Sequence, residues 1–172
     1  MVNNILRGTI YFIVLVLLQV LLLNNIHFLR LAIPFLYLYF IIKIPFGTSN
    51  TWVIFLSFLL GLTIDVFSNT PGMHAAACTL AGFCRPYLIR LYNDKEVIPD
   101  MSPSYRTLGF SGFLKYTVSL VFIHHAALFL VESLSLFDPF FLILRIVCSV
   151  LLTTTLICIV EAFNMDSQKN AE

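Results

Sequence analysis

The sequence predicts an all-α integral membrane protein, a compact bundle of about six transmembrane helices. Three observations carry that prediction. Hydrophobic residues make up 59% of the 172 positions and charged residues 11%, against about 45–50% and 25% in soluble domains. Apolar runs of roughly helical-span length recur along the chain, separated by short polar turns. Lys and Arg gather on one side of the turns those runs define. A soluble domain of this size leaves about 30% of its chain surface wet and cannot hide so much apolar area. An ordinary soluble enzyme, a disordered segment and a nucleic-acid binder are thereby excluded. A net charge of +1 gives no field to attract a polyanion.

The chain reads as a single transmembrane domain over 1–172. The first span is 9–23, interrupted by Gln19 alone and ended by Asn24 and Asn25. A cleaved signal peptide is the competing reading. The run is too long for one and no small-x-small site follows. The second span is 29–44, with Pro34 near its start, where a first turn tolerates proline. Lys43 closes it, and Pro45 with Gly47 makes the turn. The third span, 52–67, is short and sits upright or thins the bilayer. Ser68-Asn69-Thr70-Pro71-Gly72 is a tight turn by composition. The remaining spans are 73–89, 112–131 and 139–160. The loop at 90–111 is the one long polar stretch and shows no secondary-structure period.

Orientation follows from the basic residues. Arg7, Lys43, Arg85, Arg90, Lys95, Arg106, Lys115 and Lys169 fall on one side. Arg30 lies on the other side, and Arg145 falls inside the last span. Basic segments stay in the cytoplasm, so both termini and the 90–111 loop are expected there. Arg85, Arg90, Lys95 and Arg106 are the candidate residues of that cytoplasmic face.

Ionisable residues inside a span cost at least ~2.5–3.5 kcal/mol at its centre and call for partners. Asp65, Glu132 and Arg145 fall at similar depth near the outer ends of their spans. Depth counting makes Asp65–Arg145 the expected buried pair, with Glu132 as the rival partner of Arg145. On the fourth span His74, Cys78, Ala81 or Gly82, and Arg85 share one helical face, and on the third Ser57 and Gly61 lead to Asp65. Small residues at such spacing let helices approach closely. His124 and His125 point about 100° apart on a helix and do not easily chelate one ion. They read as buried, hydrogen-bonded side chains. Ser149 and Thr153 to Thr155 read as interhelical or back-bonded hydroxyls. Cys78, Cys84, Cys148 and Cys158 form no CxxC pair and read as small buried side chains, so neither a disulfide framework nor a metal site is expected. GxSxG, HExxH and P-loop patterns are missing. No enzymatic activity and no cofactor are expected.

The stretch Leu59-Leu60-Gly61-Leu62-Thr63-Ile64-Asp65, followed by Val66 to Pro71 and Gly72-Met73-His74-Ala75, resembles the G-L-x-x-D…G-x-x-A signature of the rod shape-determining protein MreD family. Gly61, Asp65 and Gly72 are the matching positions. The signature covers about 17 residues, while chain size and span layout agree more broadly. The resemblance implies a multi-pass protein of the bacterial inner membrane, non-catalytic, in the cell-elongation machinery that builds peptidoglycan. It implies an MreC-like bitopic partner and, through it, actin-like MreB and peptidoglycan synthases, with lipid as the surrounding partner and no nucleic acid. The family's fold is similar to that of energy-coupling-factor S-components. The alternative function is therefore capture of a small vitamin-like ligand. Short outer loops favour the scaffold.

Overall fold

In the computed structural model the described residues are 2–23, 32–93, 98–133 and 138–169, with side chains described from Gly8 to Asn164. Arg30, Lys95 and the first residues of the expected second span lie outside them. Six helices are found among the described residues: α1 Val2–Leu21, α2 Leu38–Lys43, α3 Asn50–Ser68, α4 Met73–Tyr92, α5 Tyr105–Glu132 and α6 Pro139–Lys169. Among the described residues three segments are long and apolar enough to cross a membrane: Asn50–Ser68, Tyr105–Glu132 and Pro139–Asn164. Gly8–Leu21 is a shorter apolar helix. The α4 helix is diluted by His74, Arg85, Pro86 and Arg90.

Helices α3, α4, α5 and α6 pack each against the next, and α1 packs on α3 and α2. The short helix α2 sits in the middle and touches α1, α3, α4 and α5. Its position explains why Leu38, Tyr39, Ile41 and Ile42 are fully buried. Outward faces are apolar: Trp52, Phe55, Phe58 and Val66 on α3, Phe83 and Leu91 on α4, Phe140 and Leu151 on α6 are all exposed. That is the reverse of a soluble surface and the arrangement a hydrocarbon solvent favours.

The expected second span is not one continuous helix. Helix α2 has six residues, and the preceding segment from Ile33 to Tyr37 runs non-helically through the interior. Pro34 has no N–H and pushes the residue before it towards extended backbone. The exposed backbone groups are then met one by one. Ile33 N–H donates to Ser149 Oγ (3.1 Å) and Phe35 N–H to Thr153 Oγ1 (3.1 Å). Gln19 Nε2 donates to Pro34 O, and Gln19 Oε1 accepts from Leu36 N–H, both at 3.0 Å. Carbonyls of Phe35, Leu36 and Tyr37 accept from Leu38, Tyr39 and Phe40, tight i→i+3 bonds that lead into α2. Gln19 thus acts as a side-chain strand partner, which is why a buried amide interrupts an otherwise apolar α1.

The long polar loop also has structure that no periodicity announced. Ser104 caps α5 through a reciprocal box: its Oγ accepts from Thr107 N–H (3.2 Å) and its own N–H donates to Thr107 Oγ1 (2.9 Å). Gly109, at φ +71°, then breaks the helix direction. The α2–α3 turn is tied to this loop by Phe46 N–H to Met101 O (2.9 Å) and Gly47 N–H to Pro99 O (2.8 Å).

Gln19→Leu removes two hydrogen bonds to the unwound segment and strands Pro34 O and Leu36 N–H. The expected loss is about 1–3 kcal/mol for each buried group left unmade. Thermal unfolding in mild detergent should show it. A control on the exposed outer face of α6 such as Thr155→Val should leave the midpoint nearly unchanged.

Candidate functional site

Buried polar residues gather at the α3–α4 hairpin, beneath it at the bundle centre, and where α2 meets α6. In the hairpin, α3 ends with Asn69 in the left-handed region (φ 55°), and Gly72 follows at φ +81°. A side chain at Gly72 would be strained at that φ. The turn brings the first N–H groups of α4 over Asp65. Asp65 Oδ1 accepts from His74 N–H (3.0 Å) and the Thr70 hydroxyl (2.9 Å), and Oδ2 accepts from Ala75 N–H (2.8 Å). A carboxylate suits this position because a helix N-terminus carries unpaired donors and partial positive charge. Gly61 lies one turn earlier on α3, where a Cβ would come 2.4 Å from His74 O and 2.6 Å from Ala75 Cα. The helices can only meet there without a side chain. Farther along the same seam a Cβ at Gly82 would come 2.5 Å from Ser57 Oγ. The small-residue faces of α3 and α4 are therefore packed against each other.

The structure corrects the expected Asp65–Arg145 pair. Asp65 is 4% exposed and spends its acceptors on the α4 N-terminus. Arg145 pairs with the rival, Glu132, at 2.9 Å, and its guanidinium lies 4.4 Å from the Phe129 ring centroid. Glu132 is exposed and Arg145 half-buried, so that pair sits at the rim. Depth counting failed because it weighed only charged partners and ignored backbone donors a few residues ahead on the next helix.

Arg85 is corrected as well. It is 2% exposed and donates to Ile44 O at the end of α2, so it is an interior residue and not part of a cytoplasmic face. Arg90 and Arg106 are exposed.

Below the hairpin, Tyr37 from the unwound segment places its hydroxyl between His74 Nδ1 (2.8 Å) and His124 Nε2 (2.9 Å). One hydroxyl proton serves two imidazoles, so one of the two histidines must donate to Tyr37. Phe35 fills the adjoining space, with ring centroids 5.4 Å from His74, 5.8 Å from His124 and 5.1 Å from His125. His125 has a defined role. Its Nδ1 faces Val121 O at 2.8 Å, so that nitrogen carries the proton and Nε2 accepts. Thr153 Oγ1, 3.2 Å from Nε2, donates there while accepting from Phe35 N–H. The histidines thus lock the unwound segment in place. Among the described residues no three His, Cys, Asp or Glu side chains converge as metal ligands.

A third polar group went unforeseen. Glu161, 1% exposed, accepts from Tyr39 Oη (2.7 Å) and from Lys43 Nζ (3.1 Å). Asn164 Nδ2 donates to Tyr39 Oη (2.8 Å) and Lys43 Nζ to Pro103 O (3.0 Å). The sequence signal was a carboxylate one residue past the expected end of the sixth span, at the same end of the bundle as Lys43.

These features define a helical bundle with an apolar exterior and an internally bonded polar interior. No family model, curated protein or solved structure matches the chain.

Gly61→Val should prevent the α3–α4 approach and abolish the folded yield in membranes. Asp65→Ala should cost about 1–3 kcal/mol through stranded donors. Asp65→Ala and Arg145→Ala should add to within about 0.5 kcal/mol, as unconnected sites do. Glu132→Ala with Arg145→Ala should show a coupling of at most about 1 kcal/mol. Double-mutant cycles on thermal unfolding distinguish the two patterns.

Proposed function

We propose that this protein is a non-catalytic, multi-pass scaffold of the bacterial inner membrane, a partner subunit of the cell-elongation complex that builds rod shape and peptidoglycan. Its expected partner is an MreC-like bitopic protein, which links it to actin-like MreB and to peptidoglycan synthases. The observation that carries the reading is the hairpin. Gly61, Asp65 and Gly72, the three positions of the MreD-like signature, meet in one clasp that fixes α3 against α4. Each has a structural task there: close approach, capping of α4 and a left-handed turn. A signature made of such tasks suits a rigid docking platform.

A second feature favours the scaffold over solute capture. The centre of the bundle is filled by Phe35, Tyr37, His124 and His125, all nearly or fully buried. Their polar atoms are largely spent on one another and on the unwound backbone. A captured vitamin would have to displace them.

With both termini in the cytoplasm, reporter fusions at residues 70 and 135 read as external and a fusion at residue 98 as internal. An external reading at 98 overturns the orientation. Depletion should round the cells, and the purified complex should contain the MreC-like protein. Depletion that spares shape and abolishes uptake of one vitamin would instead identify a capture subunit.

A further inference from the structure

Arg85 is the most deeply buried cation among the described residues, at 2% exposure. Its Nη2 donates to Ile44 O, just past the end of α2. Its Nε is enclosed without a hydrogen-bond partner. Among the described residues no carboxylate pairs with it. Tyr116 on α5 is fully buried and stands beside the guanidinium. Tyr116 Oη also lacks a hydrogen-bond partner of normal geometry. A guanidinium has five N–H donors and no acceptor, and a phenol beside it can accept but still has its own proton to give. Arg85 and Tyr116 therefore bring N–H and O–H donors into one buried place, where the acceptor Arg85 has found is a single neutral carbonyl.

The charges around the end of α2 do not cancel. Lys43 closes the helix, and Arg85 binds the carbonyl of the next residue. Glu161 answers Lys43 at 3.1 Å, and no second carboxylate answers Arg85. The interior here thus holds one uncompensated positive charge. Buried charges are normally paired or neutralised, and the requirement is stricter inside a membrane. Arginine does not neutralise itself by losing its proton. The compensation has to arrive as an anion. Two unspent donors match a monatomic anion better than a phosphate or a carboxylate, whose several oxygens each ask for donors.

We propose that one halide ion, chloride under cellular conditions, binds between Arg85 and Tyr116 and accepts from Arg85 Nε–H and the Tyr116 hydroxyl. The ion ties α4 to α5 beside the end of α2 and cancels the buried charge. The inference rests on that charge and on the two unspent donors, not on the role in cell elongation, so either can fail alone.

The test is thermal unfolding of the full chain, purified in mild detergent with gluconate as the anion, while chloride or bromide replaces gluconate at constant ionic strength. The wild-type midpoint should rise by about 5–10 °C once halide exceeds its dissociation constant about 100-fold. Arg85→Gln should abolish that rise. Tyr116→Phe removes only a hydroxyl that makes no hydrogen bond within the fold. It should keep wild-type helicity by circular dichroism and weaken the halide response about 10-fold in concentration, the worth of one hydrogen bond to a charged acceptor. It carries the test if Arg85→Gln does not fold. A wild-type midpoint indifferent to halide means that water alone meets the two donors and overturns the site. A halide response that Tyr116→Phe leaves at full affinity means an ion bound elsewhere and overturns it equally.

Discussion

The unwound backbone from Ile33 to Tyr37 is the constraint around which the rest is arranged. A buried peptide group with no partner costs free energy, and lipid offers no water to supply one. Helices settle this internally, but a segment opened by Pro34 cannot. Side chains must come to it from other elements, and they do. Gln19 reaches from α1 and Ser149 and Thr153 from α6. Those bonds bind the first and last helices to the core of the fold. Without them α2 would not enter the centre, and Tyr37 would not reach His74 and His124.

The polar interior follows from the same logic. Thr153 Oγ1 accepts from Phe35 N–H with one lone pair and keeps its own proton free to donate. Its proton goes to His125, whose second nitrogen is satisfied by the Val121 carbonyl. A line of bonds therefore runs from the unwound backbone to the α5 helix. The pair His124 and His125, adjacent in sequence and pointing apart, serves two different elements: one holds Tyr37, the other holds Thr153. Read as metal ligands their adjacency is a defect. As two anchors on one helix it is the useful arrangement.

Much of the architecture was legible because long apolar runs constrain helices strongly. The expected spans at 9–23, 52–67, 73–89, 112–131 and 139–160 each overlap a helix, and the ends moved mainly where capping decided them. The second span was not legible in the same way. Its composition is apolar throughout, and whether it unwinds depends on residues 15 to 118 positions away. The loop at 90–111 hid a helical start because its signal is a two-residue capping box and not a period. Asp65 was legible as a buried residue needing partners. Its partners were not legible, because they are backbone N–H groups exposed by a turn geometry that Asn69 and Gly72 create. Glu161 was overlooked for a related reason: it sits one residue beyond an apolar run, where composition cannot tell a solvated end from a buried one.

The hairpin and the unwound segment are not independent. His74 contributes its N–H to Asp65 and its imidazole to Tyr37. The residue whose N–H Asp65 caps at the start of α4 thus positions the interior through its side chain. A Cβ at Gly61 would collide with the carbonyl of the same residue, so the absence of a side chain there sets the spacing of α3 from α4, the depth of His74 and hence where Tyr37 stands. A change at Gly61 is then felt at two removes, first in the clasp and next in the backbone that Tyr37 anchors. This coupling gives a physical reason for Gly61, Asp65 and Gly72 to sit together in the hairpin. It holds the one geometry in which a broken span can be buried with most of its polar groups satisfied.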